Sequence, residues 1–144
     1  MRSILPLAFA GFIALGMPKA AESVAWPSMA DDLDQRLGAL GWLVATHIVG
    51  YFLASIANGE VTRRIGTGAA LVGAGVMASL SLVGYAATPG WPFLLVAAVF
   101  LGVGGGLIDA GINAHVALHH SARAMGLLHA SFGLGATLAP LVMT

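Results

Sequence analysis

The chain has 144 residues, of which 58% are hydrophobic and 8% charged, and six basic residues balance six acidic ones. A soluble domain carries about 25% charged residues, so this composition cannot cover a water-facing surface and points to a chain solvated by lipid. No basic stripe exists to neutralise phosphates, which excludes ordinary nucleic-acid binding. The lack of cysteine excludes disulfides, thiolate metal sites and cysteine nucleophiles.

A helix needs about 20 apolar residues to cross hydrocarbon. Five stretches qualify: 4–27, 38–57, 67–87, 93–118 and 125–144. Their apolar runs are continuous rather than alternating, which argues against a barrel. The expected fold class is therefore an all-α membrane protein with five transmembrane helices. Short links at 31–36, 59–64, 88–92 and 119–123 make each helix antiparallel to the next. A secretory signal at residues 1–21 is a rival reading of the start, but the apolar run is longer than a signal core and four more spans follow.

The first span carries Lys19 and Glu22, three residues apart and near its outer third. They can pair along the helix, snorkel to the interface, or face a polar cavity. Pro6, Pro18 and Pro27 imply a bent helix, which is tolerated where backbone lines a cavity or is covered by protein. The second span holds His47 near its middle. The segment 58–68 reads as a cytoplasmic loop, with Gly59 and Gly66 allowing tight turns and Arg63 and Arg64 free to bond helix ends or lipid phosphates. Arg2, Arg63, Arg64 and Arg123 all fall on one side if the helices alternate, so the N-terminus is expected in the cytoplasm. Trp26 and Trp91 then sit at the opposite interface.

The fourth span reads FLLVAAVFLGVGGGLIDAGINAHVAL. Gly102, Gly105, Gly106, Asp109 and Asn113 recur at helical spacing and share one face. The glycines let another backbone approach, in the manner of small-xxx-small packing. A carboxyl at membrane depth is costly and is by default a functional candidate, although Asp109 could also only fix packing. The glycine run is no phosphate loop, because no Gly-Lys-Ser/Thr follows. His115 and His119 have a spacing that can hold zinc, but a third ligand is lacking, so no metal and no cofactor is expected. His129 falls in the first turns of the fifth span and could line a cavity. That span stays apolar to Thr144 with no polar flank, as expected for the front of a longer protein.

Four segments resemble the N-terminal part of major facilitator superfamily transporters, within the branch of the fucose permeases and related sugar-transporter-like proteins. They are Gly16–Ser28, Gly59–Gly68, Gly104–Ala114 and Ser121–Leu141. The second is similar to the superfamily signature G-x-L-A-D-R-x-G-R-K, but has Arg63 in place of its acid and Thr67 and Gly68 in place of basic residues. Asp109 and Asn113 match the branch's fourth-helix acid and amide, and Arg123 and His129 match the start of its fifth helix.

The resemblance implies a twelve-helix carrier of two six-helix halves, of which this chain supplies five helices. A small polar solute, such as a sugar, would cross a bacterial-type inner membrane by alternating access, coupled to protons. Asp109 is then the proton-coupling candidate. Asn113, His129, Glu22 and Lys19 are the cavity candidates. The partners are the bilayer, the solute, protons and the missing C-terminal helices. Two other readings stand beside it: a non-transporting membrane subunit or truncated product that only packs against a partner, and an intramembrane enzyme using Asp109 and the histidines.

Overall fold

In a computed structural model, which describes residues 4–143, the chain forms five long helices and one short 3-10 turn. They are α1 (Leu5–Asp32), the 3-10 turn (Leu37–Ala39), α2 (Leu40–Ile65), α3 (Thr67–Ala86), α4 (Trp91–His119) and α5 (Ala122–Met143). All five helices are long and apolar enough to span a bilayer, and no strand occurs among the described residues. Arg2 and Thr144, used above for orientation and for the chain's end, lie outside the described residues.

Two boundaries differ from the sequence reading, for physical reasons. α1 runs on to Asp32, with Pro18 and Pro27 inside it. Each proline removes one helical donor, yet neither ends the helix. Lys19 and Glu22 both lie inside this 28-residue helix. Asp34, at φ 51°, takes the left-handed conformation that a short polar side chain tolerates, and so turns the chain out of α1.

The second difference is at 58–68, which is not a loop. α2 continues through Gly59, Arg63 and Arg64 to Ile65, and only Gly66 separates it from α3. Helical spacing favours this: Glu60 pairs with Arg63 three residues on and with Arg64 four residues on. Both arginines also lie in the last turn, where cations suit the helix dipole. Gly66 has φ +83°, which a side chain rarely adopts, and this one residue makes the reversal.

The helices sort into two compact units, one holding the chain up to Pro27 and from Ile112 onward, the other Ser28–Gly111. In the first, Phe12 and Ala8 of α1 pack with Val116 of α4 and with Ala124 and Leu128 of α5. Ser121 caps α5 by accepting a bond from the Ala124 N–H at 3.3 Å. In the second, Ala54 of α2, Ala74 of α3 and Leu107 of α4 form a core. Small residues dominate it, as expected where helices approach without a hydrophobic driving force.

One backbone contact recurs in both units. A Cβ at Gly50 would strike the Val99 carbonyl, and one at Gly102 would strike the His47 carbonyl. Each glycine thus meets the carbonyl three residues before its counterpart. In the other unit Gly16 meets the Phe132 carbonyl, and Gly135 meets that of Ile13, with the same offset. Outside these seams large apolar side chains are exposed, among them Phe52, Ile56, Val72 and Leu80. In water such a surface would aggregate; in a bilayer it is the solvated face.

Candidate functional site

α4 is the most enclosed span: 50% of its apolar window is buried, against 17–22% for the others. Its glycines explain how. Gly102 and Gly106 lie against the α2 backbone at the His47 and Tyr51 carbonyls, and Gly104 lies against α3 at Ala74 and Ala78. The contacts with α2 advance together, from His47 with Gly102 to Tyr51 with Gly106, four residues on in each helix. α2 and α4 are therefore parallel, as two helices separated by one other must be when each reverses direction.

Asp109 follows Gly106 by three residues on this seam. Tyr51 donates its phenolic O–H to Asp109 Oδ2 at 2.5 Å, across α2 and α4. Both residues are partly buried. A short O–H···O bond to a carboxylate is charge-assisted and about twice as strong as a neutral one. A phenol both donates and accepts, so the pair can bond with either side chain as the donor.

Tyr51 is the residue that the sequence reading missed. A tyrosine in an apolar span looks like any membrane aromatic, and nothing local points to a partner 58 residues away. Gly50, Gly104 and Gly111 were also missed: Gly50 and Gly111 are isolated in their helices, and Gly104 stands in the glycine run but meets α3 rather than α2. Of the packing glycines expected, Gly102 and Gly106 make direct backbone approaches and Gly105 is buried.

The other candidates are placed as follows. Asn113 is half-buried on α4, one turn beyond Asp109. Lys19 is exposed and Glu22 half-buried, both on α1. His129 is exposed on α5, with its ring edge-on to Phe12 at 6.0 Å between centroids. His115 stacks on His119 at 4.5 Å, and no group of three metal-ligating side chains forms among the described residues.

Gly59 is exposed and meets no neighbour within 4 Å. Beyond it, Arg63 donates two bonds to the Glu60 carboxylate, at 2.8 and 2.6 Å, and Arg64 donates one at 2.5 Å. These groups lie past the apolar run 38–57, at the exposed end of α2. Arg63, and then Arg64, hold the Glu60 carboxyl below the usual range for a glutamate. In this chain the acid of the motif segment is thus Glu60, one turn before the expected position, and it serves both arginines.

A bundle of apolar helices closed by glycine seams, with an acid held at depth by a phenol, defines an integral membrane protein with a polar element inside it. The chain belongs to the Major Facilitator Superfamily, whose family model matches residues 7–144.

Curated relatives are named as transporters. The chain is 29% identical to a probable anion transporter 1, chloroplastic, of Oryza sativa subsp. japonica, over 92% of this chain and 26% of the relative. It is 28% identical to a sodium-dependent phosphate transport protein 1, chloroplastic, of Arabidopsis thaliana, over 92% and 27%. It is 26% identical to an ascorbate transporter, chloroplastic, of Arabidopsis thaliana, over 92% and 26%. The chain thus spans about a quarter of the length of these relatives. No solved structure matches it.

Proposed function

We propose that the chain is part of a secondary carrier for a small anion, in which Asp109 takes up and releases a coupling proton. Further helices of the carrier would supply the opposing half, with the solute between the halves near the midplane. The observation that carries this reading is the acid itself: Asp109 sits in an apolar helix, where Tyr51 donates a hydrogen bond to its carboxyl. Acids within membrane spans mark substrate and ion pathways, proton relays among them.

The names of the relatives support the solute class, since they specify anions, phosphate and ascorbate rather than the sugar implied by the fucose-permease resemblance. Lys19 supports it, as the one lysine or arginine in the interior of any apolar stretch. A cation there would meet an anion in low dielectric, where a charge-assisted bond is worth about 1.5–3 kcal/mol. Asn113, Glu22 and His129 are the neutral and titratable groups assigned to the same pathway. The N-terminus would lie on the cytoplasmic side, with Arg63, Arg64 and Arg123 on that side by helix alternation, in a bacterial-type inner membrane.

The test is uptake by proteoliposomes of the protein expressed from its natural coding frame, offered labelled phosphate, ascorbate or a neutral hexose under an imposed proton gradient. The expected result is uptake of an anion and not of the hexose, with Lys19→Gln lowering it about tenfold or more. Hexose uptake that Lys19→Gln leaves unchanged would overturn the anion assignment. Uptake driven by a sodium gradient alone would overturn proton coupling.

A further inference from the structure

The seam between α2 and α4 brings together two contacts that are usually considered separately. Gly106 is the backbone seat of Tyr51: a Cβ there would strike the Tyr51 carbonyl and crowd Ala54 Cβ and Ser55 Oγ, each at 3.1 Å. Asp109 begins three residues further along α4, about 4.5 Å at the helical rise. Because the Cα–Cβ bond tilts toward the helix N-terminus, the carboxyl leans back toward the level of Gly106. There it meets the phenol of the same Tyr51 whose backbone rests on Gly106.

We infer that Tyr51 is a positioning residue for Asp109, and that the missing side chain at Gly106 sets its reach. The carboxyl is oriented by a phenol whose own place is fixed by backbone contact, not by a flexible stem. A displacement of α2 from α4 by the width of one methyl group lengthens the O–H···O bond past its useful range, since such bonds are made at about 2.5–3.0 Å. A backbone movement along this seam is thereby converted into a change at the acid. The functional consequence rests on the reading of Asp109 as the proton acceptor; the positioning itself does not.

Infrared spectroscopy of the protein expressed from its natural coding frame, in lipid nanodiscs, tests this without knowledge of the solute. The difference between wild type and Asp109→Asn isolates the Asp109 carboxyl band. Tyr51→Phe keeps the ring and removes only the hydroxyl, and should shift that band. Gly106→Ala keeps the hydroxyl but lifts α2 away, and should shift it in the same direction. Gly126→Ala, at a glycine with nothing within 4 Å, should leave it in place.

An unshifted band in Tyr51→Phe overturns the inference. A shift in Tyr51→Phe with none in a folded Gly106→Ala overturns the part assigned to the glycine. If Gly106→Ala does not fold, Tyr51→Phe still decides. Failure of the proton reading is seen elsewhere: Asp109→Asn would keep proton-driven accumulation even though the band responds to Tyr51.

Discussion

Tyr51 and Asp109, on two parallel helices and 58 residues apart in sequence, share a hydrogen bond of 2.5 Å inside an apolar bundle. The bond has a stability consequence as well as a functional one. Tyr51→Phe removes one donor from the Asp109 carboxyl. Interhelical bonds in membranes average about 0.6 kcal/mol and reach about 1.7. Charge assistance places this one toward the upper end. The melting midpoint of the detergent-solubilised protein should fall measurably in Tyr51→Phe, and an unchanged midpoint would show the bond to be energetically idle.

The glycine seams give a sharper contrast. Gly102→Ala forces a methyl into the His47 carbonyl, and Gly50→Ala into that of Val99. Overpacking of this kind costs about 1–3 kcal/mol. Gly133→Ala adds the same methyl where nothing lies within 4 Å, and gains up to about 1 kcal/mol of helix propensity. The same thermal assay should rank Gly133→Ala at or above wild type, and both seam variants below it.

Gly66 is a backbone site rather than a packing one. No neighbour would touch its Cβ, but its φ of +83° penalises any side chain. Gly66→Ala should cost about 1–2 kcal/mol. Gly68→Ala, two residues on and inside α3, should be neutral or stabilising. Equal effects of the two substitutions would mean that the α2–α3 reversal does not depend on Gly66.

How much of this was readable in advance depended on range. Helix number and order followed from apolar runs, because each span announces itself locally. Asp109 stood out for the same reason, as a charge in an apolar run. Tyr51 did not, because its role exists only once α2 lies beside α4. The segment 58–68 was read as a loop from its glycines and charges, yet those charges are spaced to pair on a helix, and Glu60 with Arg63 and Arg64 extends α2 to Ile65. The reciprocal contact of Gly16 with Gly135 could be seen only when α1 and α5 were packed.

The ion pairs at the end of α2 carry a pH prediction. Arg63 and Arg64 hold the Glu60 carboxyl below its ordinary range, so the pairing is complete at neutral pH. It is lost as pH falls through the folded-state value, which lies below that of an unpaired glutamate. Carboxyl-resolved NMR should therefore find Glu60 titrating lower than a free glutamate, and higher again in Arg63→Gln. Because the pair is solvent-exposed, Glu60→Gln should leave the melting midpoint nearly unchanged at neutral pH.

The central claim is that Asp109 carries the coupling proton, and proton flux measures it most directly. Proteoliposomes of the protein expressed from its natural coding frame, loaded with a pH-sensitive dye, would receive phosphate or ascorbate outside. The account expects the lumen to acidify with wild type and not with Asp109→Asn, while exchange of labelled for unlabelled anion persists in the variant. Acidification by Asp109→Asn at the wild-type rate would contradict it and leave Asp109 as a clamp between helices.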